Sequence, residues 1–381
     1  MNALLIALGL IPLIILVVIH EWGHFIAARK SGVEVEEFGV GFPPKAKTLT
    51  VKNGTEYTLN WLPLGGFVRL KGEHDADTSK GSFGAASLRQ KVLIMVAGVG
   101  MNLVTALILF TLVALIGMPS LLPNQFRINS DTKIIREIKN KDVVRASEVI
   151  SGSPADKAGV QKDDELVSLS GIPLDDASKM TDITSTYAGK KIELVTKRGE
   201  TQFTNEVTLN ESSPYLGVRA ESGEEGYEVY RATWSAPIVA IGVTTQFTHA
   251  TLKGLGQAVS GLGSILAGAF TGNNQARQNG QQEAGGQVGG PLAVMVVMKE
   301  SAREGTGFVL FICAIISLTL AIMNTLPIPA LDGGRLFVTL LFRAFRWPLT
   351  KTREDKIHGT GFALLMILFV VITVVDVRRF F

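Results

Sequence analysis

Four stretches of this 381-residue chain are nearly free of charge, and they dictate what it can fold into. Residues 3–28 contain one charged side chain, Glu21; residues 92–126, 305–331 and 359–375 contain none. Each reaches or approaches the ~20 residues with which a helix crosses a bilayer, so four transmembrane helices are expected. Charged residues make up 19% of the chain, against about 25% in an ordinary soluble protein. That is too little polar surface for a fully soluble chain and too much apolar surface for a disordered one. A net charge of +3 offers no basic footprint for nucleic acid, and the single cysteine, Cys313, excludes an internal disulfide or a cysteine metal cluster. The first run lacks a basic leader and a small-residue cleavage site, so it reads as a retained helix rather than a signal peptide.

Between the second and third runs the composition turns polar and rich in Val, Ile and Thr, which predicts a soluble α+β domain over residues 132–220. Its centre reads Ser151-Gly-Ser-Pro-Ala-Asp-Lys-Ala-Gly-Val160 and then Lys162-Asp-Asp-Glu-Leu-Val-Ser-Leu-Ser170. This series resembles the PDZ domains of bacterial membrane proteases, although Lys162-Asp163-Asp164 stands where a Gly-Asp pair is usual. PDZ domains take up peptides as an added strand, so a peptide partner is expected here, with a ligand-free spacer as the plainer alternative. Residues 236–270 are mildly apolar, interrupted by Gln246, His249, Lys253 and Gln257; a fifth span is an alternative, but they read better as a pair of amphipathic surface helices. The Gln- and Gly-rich residues 272–290 read as a flexible loop. Asn53-Gly54 inside an alternating stretch predicts a hairpin, with residues 33–38 as a strand beside it.

Ten Lys or Arg lie in residues 29–91 and five in residues 342–358. Both segments are therefore expected on the cytoplasmic side, with the chain start and the PDZ-like domain opposite. Spans one and three then run in the same direction.

At the end of span one stands His20-Glu21-Trp22-Gly23-His24. On a helix, positions i and i+4 share a face, so two imidazoles can hold one Zn²⁺ with the glutamate beside its water. Such a metal lowers the pKa of bound water toward ~7, and the glutamate takes its proton as it attacks a peptide carbonyl. Polar groups of this kind beside a 17-residue apolar run (residues 3–19) are costly without partners. Zinc needs a third protein ligand. Asn324-Thr-Leu-Pro-Ile-Pro-Ala-Leu-Asp332-Gly-Gly334 closes span three at the same expected depth. Alone, Asp332 would read as a turn residue before the glycine pair; beside the histidine pair it supplies the third ligand and leaves a fourth position for water. His74, His249 and His358 have no ligand spacing and read as surface residues. Cys313 reads as a small apolar residue of span three, and Gly98 and Gly100 as aids to close helix packing.

These residues, together with Gly32-Val33, Gly54-Thr-Glu-Tyr57, Pro63-Leu-Gly-Gly-Phe67, Gly289-Gly-Pro-Leu292 and Asp376-Val-Arg378, make nearly the whole chain resemble the site-2 protease family of intramembrane zinc metalloproteases, in its bacterial regulator-of-sigma-E form. The resemblance implies zinc ligation by His20, His24 and Asp332, Glu21 as catalytic base, and a supporting role toward substrate or oxyanion for Asn324 and Asn102. It also implies a sheet that holds the substrate extended. Two departures stand out: span two has Gly98-Val-Gly-Met-Asn102 where Gly-Pro-x-x-Asn is usual, and the chain has room for one PDZ domain where many relatives carry two.

The expected architecture is thus a polytopic α-helical membrane protein with a cytoplasmic-side β-hairpin or sheet and an inserted α+β PDZ domain. Residues 1–131 would form the first catalytic membrane part, including a hairpin region at 33–70, residues 132–220 the PDZ domain, 221–304 surface helices and loop, and 305–381 the second catalytic part. The expected activity is Zn²⁺-dependent cleavage of single-span membrane proteins in the bilayer, such as an anti-sigma factor or signal-peptide remnants. A bacterial inner-membrane location is expected, since no Arg/Ser-rich leader precedes span one. Two rivals are a catalytically inactive PDZ-bearing scaffold, which the intact motif disfavours, and a zinc transporter, which the lack of ionisable residues in spans two and four disfavours.

Overall fold

The computed structural model describes residues 3–199, 201–271 and 291–380. In chain order, α1 (Ala3–Lys30), β1 (Val35–Lys52), β2 (Thr55–Leu70), α2 (Leu88–Ile116) and β3 (Met118–Pro119) come first. They are followed by β4 (Lys133–Val149), α3 (Pro154–Lys157), β5 (Glu165–Leu169), β6 (Ile172–Pro173), α4 (Ala177–Thr186), β7 (Lys191–Arg198), β8 (Thr201–Thr208) and β9 (Val218–Arg231). The chain closes with α5 (Ala236–Thr271), α6 (Pro291–Glu304), α7 (Thr306–Thr325), α8 (Asp332–Ala344) and α9 (Lys351–Phe380). Two compact units result: residues 1–133, 230–255 and 288–381 in one, residues 134–229 and 256–287 in the other.

In the first unit, four helices among the described residues are long and apolar enough to cross a membrane: Ile11–Lys30, Leu88–Ile116, Thr306–Thr325 and Lys351–Val374. Two end earlier than the uncharged runs do. α2 stops at Gly117, whose φ of 148° no side chain favours. α7 stops at Thr325, because Pro327 and Pro329 cannot continue a helix. α2 starts with a capping box, in which Ser87 and Gln90 each bond the other's backbone.

α5 corrects an expectation. It is one helix of 36 residues rather than a surface pair, and its first turns are buried. Ala236, Val239, Ala240 and Val243 join Phe110 of α2 and Phe311 of α7 in the main core, where Phe110, Phe247 and Phe311 pack ring against ring. The small residues allow this: a methyl on Gly242 would meet the Phe126 ring at 2.2 Å. The helix start is held from outside, by Asp131. Its carboxylate accepts the Thr233 and Ser235 amides at 2.8 and 3.0 Å, together with both hydroxyls. α6 is held similarly, with Pro291 at its first turn and the buried Asp376 carboxylate of α9 accepting the Ala293 amide at 3.0 Å. The glutamine-rich loop at 272–290, with Gly289 and Gly290, lies outside the described residues.

β1 and β2 form the antiparallel hairpin anticipated at Asn53-Gly54, both residues having positive φ as a tight turn requires. The strand expected at 33–38 is the root of β1. Trp22, Phe25, Phe38 and Tyr57 stack there against α1, and the buried Glu37 is satisfied by Thr58 and Arg69. After β2, residues 73–75 are pinned to three helices. Asp75 pairs with the fully buried Lys91 of α2, its amide donates to Glu354 of α9, and Arg335 of α8 donates to the Glu73 carbonyl. His74 bonds Asp355 at 2.8 Å, so it is a partner in this latch rather than a free surface residue.

In the second unit the strand order is β9-β4-β5-β7-β8, with β6 beside β5. Val144, Ala155, Leu166, Leu169 and Leu194 are fully buried between the sheet and the helices. Asp163 has φ 70°, the left-handed conformation for which glycine is suited, and the buried Asp164 beside it forms a two-bond pair with Arg198 at 2.6 and 2.7 Å. Asp176 caps α4, and Ser222 of β9 bonds the same turn.

Candidate active site

α1 presents His20 and His24 one turn apart on the face that meets α2. That contact is possible because glycines stand on both helices. A methyl on Gly23 would lie 2.5 Å from the Ala97 carbonyl, and one on Gly98 2.4 Å from His24 Nε2 and 2.7 Å from the His20 ring. Gly98 thus opens the space that the two imidazoles occupy. Gly100, expected to act alike, faces nothing within 4 Å.

The third member arrives from far along the chain. After α7 the two prolines turn the backbone, Ala330 takes a left-handed φ of 81°, and α8 begins at Asp332. Gly333 and Gly334 let the new helix press on that loop, since methyls there would meet the Thr325 and Ile328 carbonyls at 2.3 and 1.9 Å. The Ala330 amide donates to His358 Nδ1 at 3.2 Å, so His358 steadies the loop and is not the surface residue its spacing suggested.

His20 Nε2 lies 3.0 Å and His24 Nε2 3.1 Å from Asp332 Oδ2, and the two nitrogens are 3.2 Å apart. Ligands about 2.0–2.1 Å from a tetrahedral zinc stand roughly 3.3 Å from one another, so this near-equilateral triangle fits a metal ion. The chemistry agrees. His24 Nδ1 lies 2.8 Å from the Ile94 carbonyl, which only accepts, so the proton of neutral His24 is on Nδ1 and the Nε2 lone pair points inward. The His24 lone pair and the Asp332 carboxylate oxygen thus face one another, an arrangement that a positive ion between them would favour. Among the described residues this is the only group of three or more His, Cys, Asp or Glu placed to hold a metal.

Glu21 points beside the triangle into a cavity of about 430 Å³, which it lines together with Arg69, Glu73, Asp332 and Arg335. Phe67 and Val68 of β2 line the same cavity. Of the two asparagines singled out in the sequence, Asn102 is fully buried with its amide 3.2 Å from His20 Nδ1. Asn324 sits at the end of α7 and returns its amide to the Leu320 carbonyl of its own helix at 3.1 Å. The structure therefore gathers His20, Glu21, His24, Asp332 and Asn102, and turns Asn324 away. Sequence reasoning missed Gly98 as the space for the rings, the Ile94 carbonyl and His358. Only Gly98 had a signal, its place four residues before Asn102 on one helix face.

Apolar spanning helices around a buried three-ligand centre, with a carboxylate at its edge, define a membrane-embedded metal-dependent hydrolase. Comparison with known proteins makes this specific. The family model of Peptidase family M50 matches residues 8–368, so the chain belongs to that family, the site-2 proteases. A protein of Clostridium perfringens strain 13, named as a zinc metalloprotease, is 31% identical over 362 residues, covering 95% of each chain. The protease Eep of Enterococcus faecalis is 25% identical, covering 96% of this chain and 97% of its own. The zinc metalloprotease RasP of Shouchella clausii is 23% identical over the full length of both.

Proposed function

We propose that this chain is an intramembrane zinc metalloendopeptidase that cuts transmembrane segments of membrane proteins. The observation that carries the reading is the triangle of His20, His24 and Asp332, assembled from opposite ends of the chain with Glu21 at its side. In this reading the three residues hold Zn²⁺, which when bound supplies a Lewis acid and an acidified water. Glu21 takes the proton of the attacking water and passes it to the leaving amine. The cavity between Glu21 and Arg335 brings water to a site that lipid would otherwise keep dry. Asp332 balances part of the metal's charge, and His358 keeps its loop in register. Asn324 is bonded to its own helix, so a role toward substrate would require its amide to leave the Leu320 carbonyl.

The hairpin supports strand-like substrate binding, since Phe67 and Val68 of β2 line the same cavity as Glu21 and a scissile peptide must leave its helix to be cut. The segment from β4 to the start of β9, about residues 132–220, is proposed to be the PDZ domain, acting as a filter or peptide site. By the positive-inside rule, the lysine- and arginine-rich segments support a site facing the cytoplasm of a bacterial inner membrane and a PDZ-like domain outside it. Single-span proteins, such as an anti-sigma factor or signal-peptide remnants, are the proposed substrates. The test is cleavage of a single-span reporter in proteoliposomes. Glu21→Gln should retain zinc and lose at least ~10²-fold in rate. Equal cleavage by wild type and variant would refute the assignment, and cleavage by neither across a reporter panel would favour a scaffold.

A further inference from the structure

Both imidazoles of the site are gripped from behind by α2, but in different ways. His24 Nδ1 faces a carbonyl, Ile94 O, which fixes one tautomer. His20 Nδ1 faces Nδ2 of Asn102 at 3.2 Å, while the buried Asn102 Oδ1 has no partner. With that contact the amide donates, Nδ1 accepts, and the proton of neutral His20 sits on Nε2, where it bonds Asp332 at 3.0 Å. A metal on Nε2 demands the other tautomer, with the proton on Nδ1. Two N–H groups cannot then face each other. A half-turn of the amide about its last bond puts Oδ1 at the same place, where it accepts from Nδ1–H.

We propose that Asn102 is a positioning residue that serves both states of His20: an amide that donates to Nδ1 when the metal is absent and accepts from it when the metal is bound. The inference rests on the metal site proposed above. An amide is suited to this because it carries a donor and an acceptor on interchangeable corners. Its placement is also fixed. The Asn102 carbonyl accepts from the buried Ser317 hydroxyl of α7 at 2.8 Å, and Gly98, one turn earlier, clears the path to the rings. This gives Asn102 a role toward the ligand rather than toward the oxyanion.

The test is zinc affinity, measured on the detergent-purified full chain by competition with a chromophoric chelator, alongside thermal unfolding of the metal-free proteins. Asn102→Leu, which offers no acceptor, should weaken zinc binding about 10–100-fold while the metal-free protein unfolds near the wild-type temperature. Asn102→Asp, an acceptor, should bind zinc at least as tightly as Asn102 does. Ser317→Ala, which removes only a bond to the Asn102 backbone carbonyl and leaves the amide itself free to face the ring, should weaken zinc binding far less than Asn102→Leu. Wild-type affinity in Asn102→Leu would overturn the proposal. So would equal weakening in Asn102→Asp or Ser317→Ala, since that marks a packing role. A wild-type chain that binds no zinc would remove the metal site itself, and this inference with it.

Discussion

Gly98 is the residue whose loss the site can least absorb. Any side chain there enters the space of both imidazoles, and the obstacle is rigid, because each ring is already held at Nδ1. Gly98→Ala is expected to cost ~1–3 kcal/mol of stability through overpacking and to lower zinc content, read by thermal unfolding and metal analysis. Gly100→Ala, facing open space, should change neither. Lys91 is the second such residue: it is fully buried and paired with Asp75. Lys91→Ala leaves a carboxylate with less compensation and should cost ~3 kcal/mol or more. At this scale the grouping of His20, His24 and Asp332 was legible because the i, i+4 rule fixes which helix residues share a face, and because Asp332 closes an apolar run at the depth expected for the histidines. The duties of Asn102 and His358 were not. Each depends on which atom lies opposite, a backbone amide for His358 and a ring nitrogen for Asn102, and that is set by how helices rotate against one another.

Among the elements, α5 shows what hydrophobic pattern alone leaves out. Its polar interruptions suggested two helices at a surface, yet its alanines and glycines carry its first turns into the core, where close approach matters more than apolar area. Asp131 holds the start of that helix. Burial raises its carboxyl, but hydrogen bonds from Ser235 and Thr233 prevail and hold it well below the usual carboxylate range. A depressed folded value means that its contribution is complete above the ordinary carboxylate pKa of ~4 and is lost as pH falls through the lower folded value. Asp131→Asn should therefore lower the melting temperature at pH 7, and the gap to wild type should close as pH drops below ~4. In the second unit, Asp163 occupies a left-handed position, so Asp163→Gly should stabilise it by up to ~1 kcal/mol, seen as a shifted denaturant midpoint. The hairpin and the four spanning helices were readable in outline, because a two-residue turn and a charge-free run are local signals. Their ends were not, since Gly117 and the proline pair cut two helices short inside runs that stay apolar.

For the molecule as a whole, residues near position 20 and near position 332 become one site only when α1, α2, α7 and α8 are all in place. With zinc held there as proposed, metal binding and folding are coupled. A ligand at 100 times its dissociation constant adds about 2.7 kcal/mol to the folded state, so chelation should lower the melting temperature of the wild type and barely move that of Asp332→Ala. The claim at the centre of this account is that the two ends of the chain share one metal, and counting zinc in the gently purified protein tests it most directly. One zinc per wild-type chain, largely lost in Asp332→Ala with the fold retained, is the expected result. Full zinc in that variant would contradict the joining of the two ends, and a wild type that takes up no zinc even when supplied with it would contradict the metal site altogether.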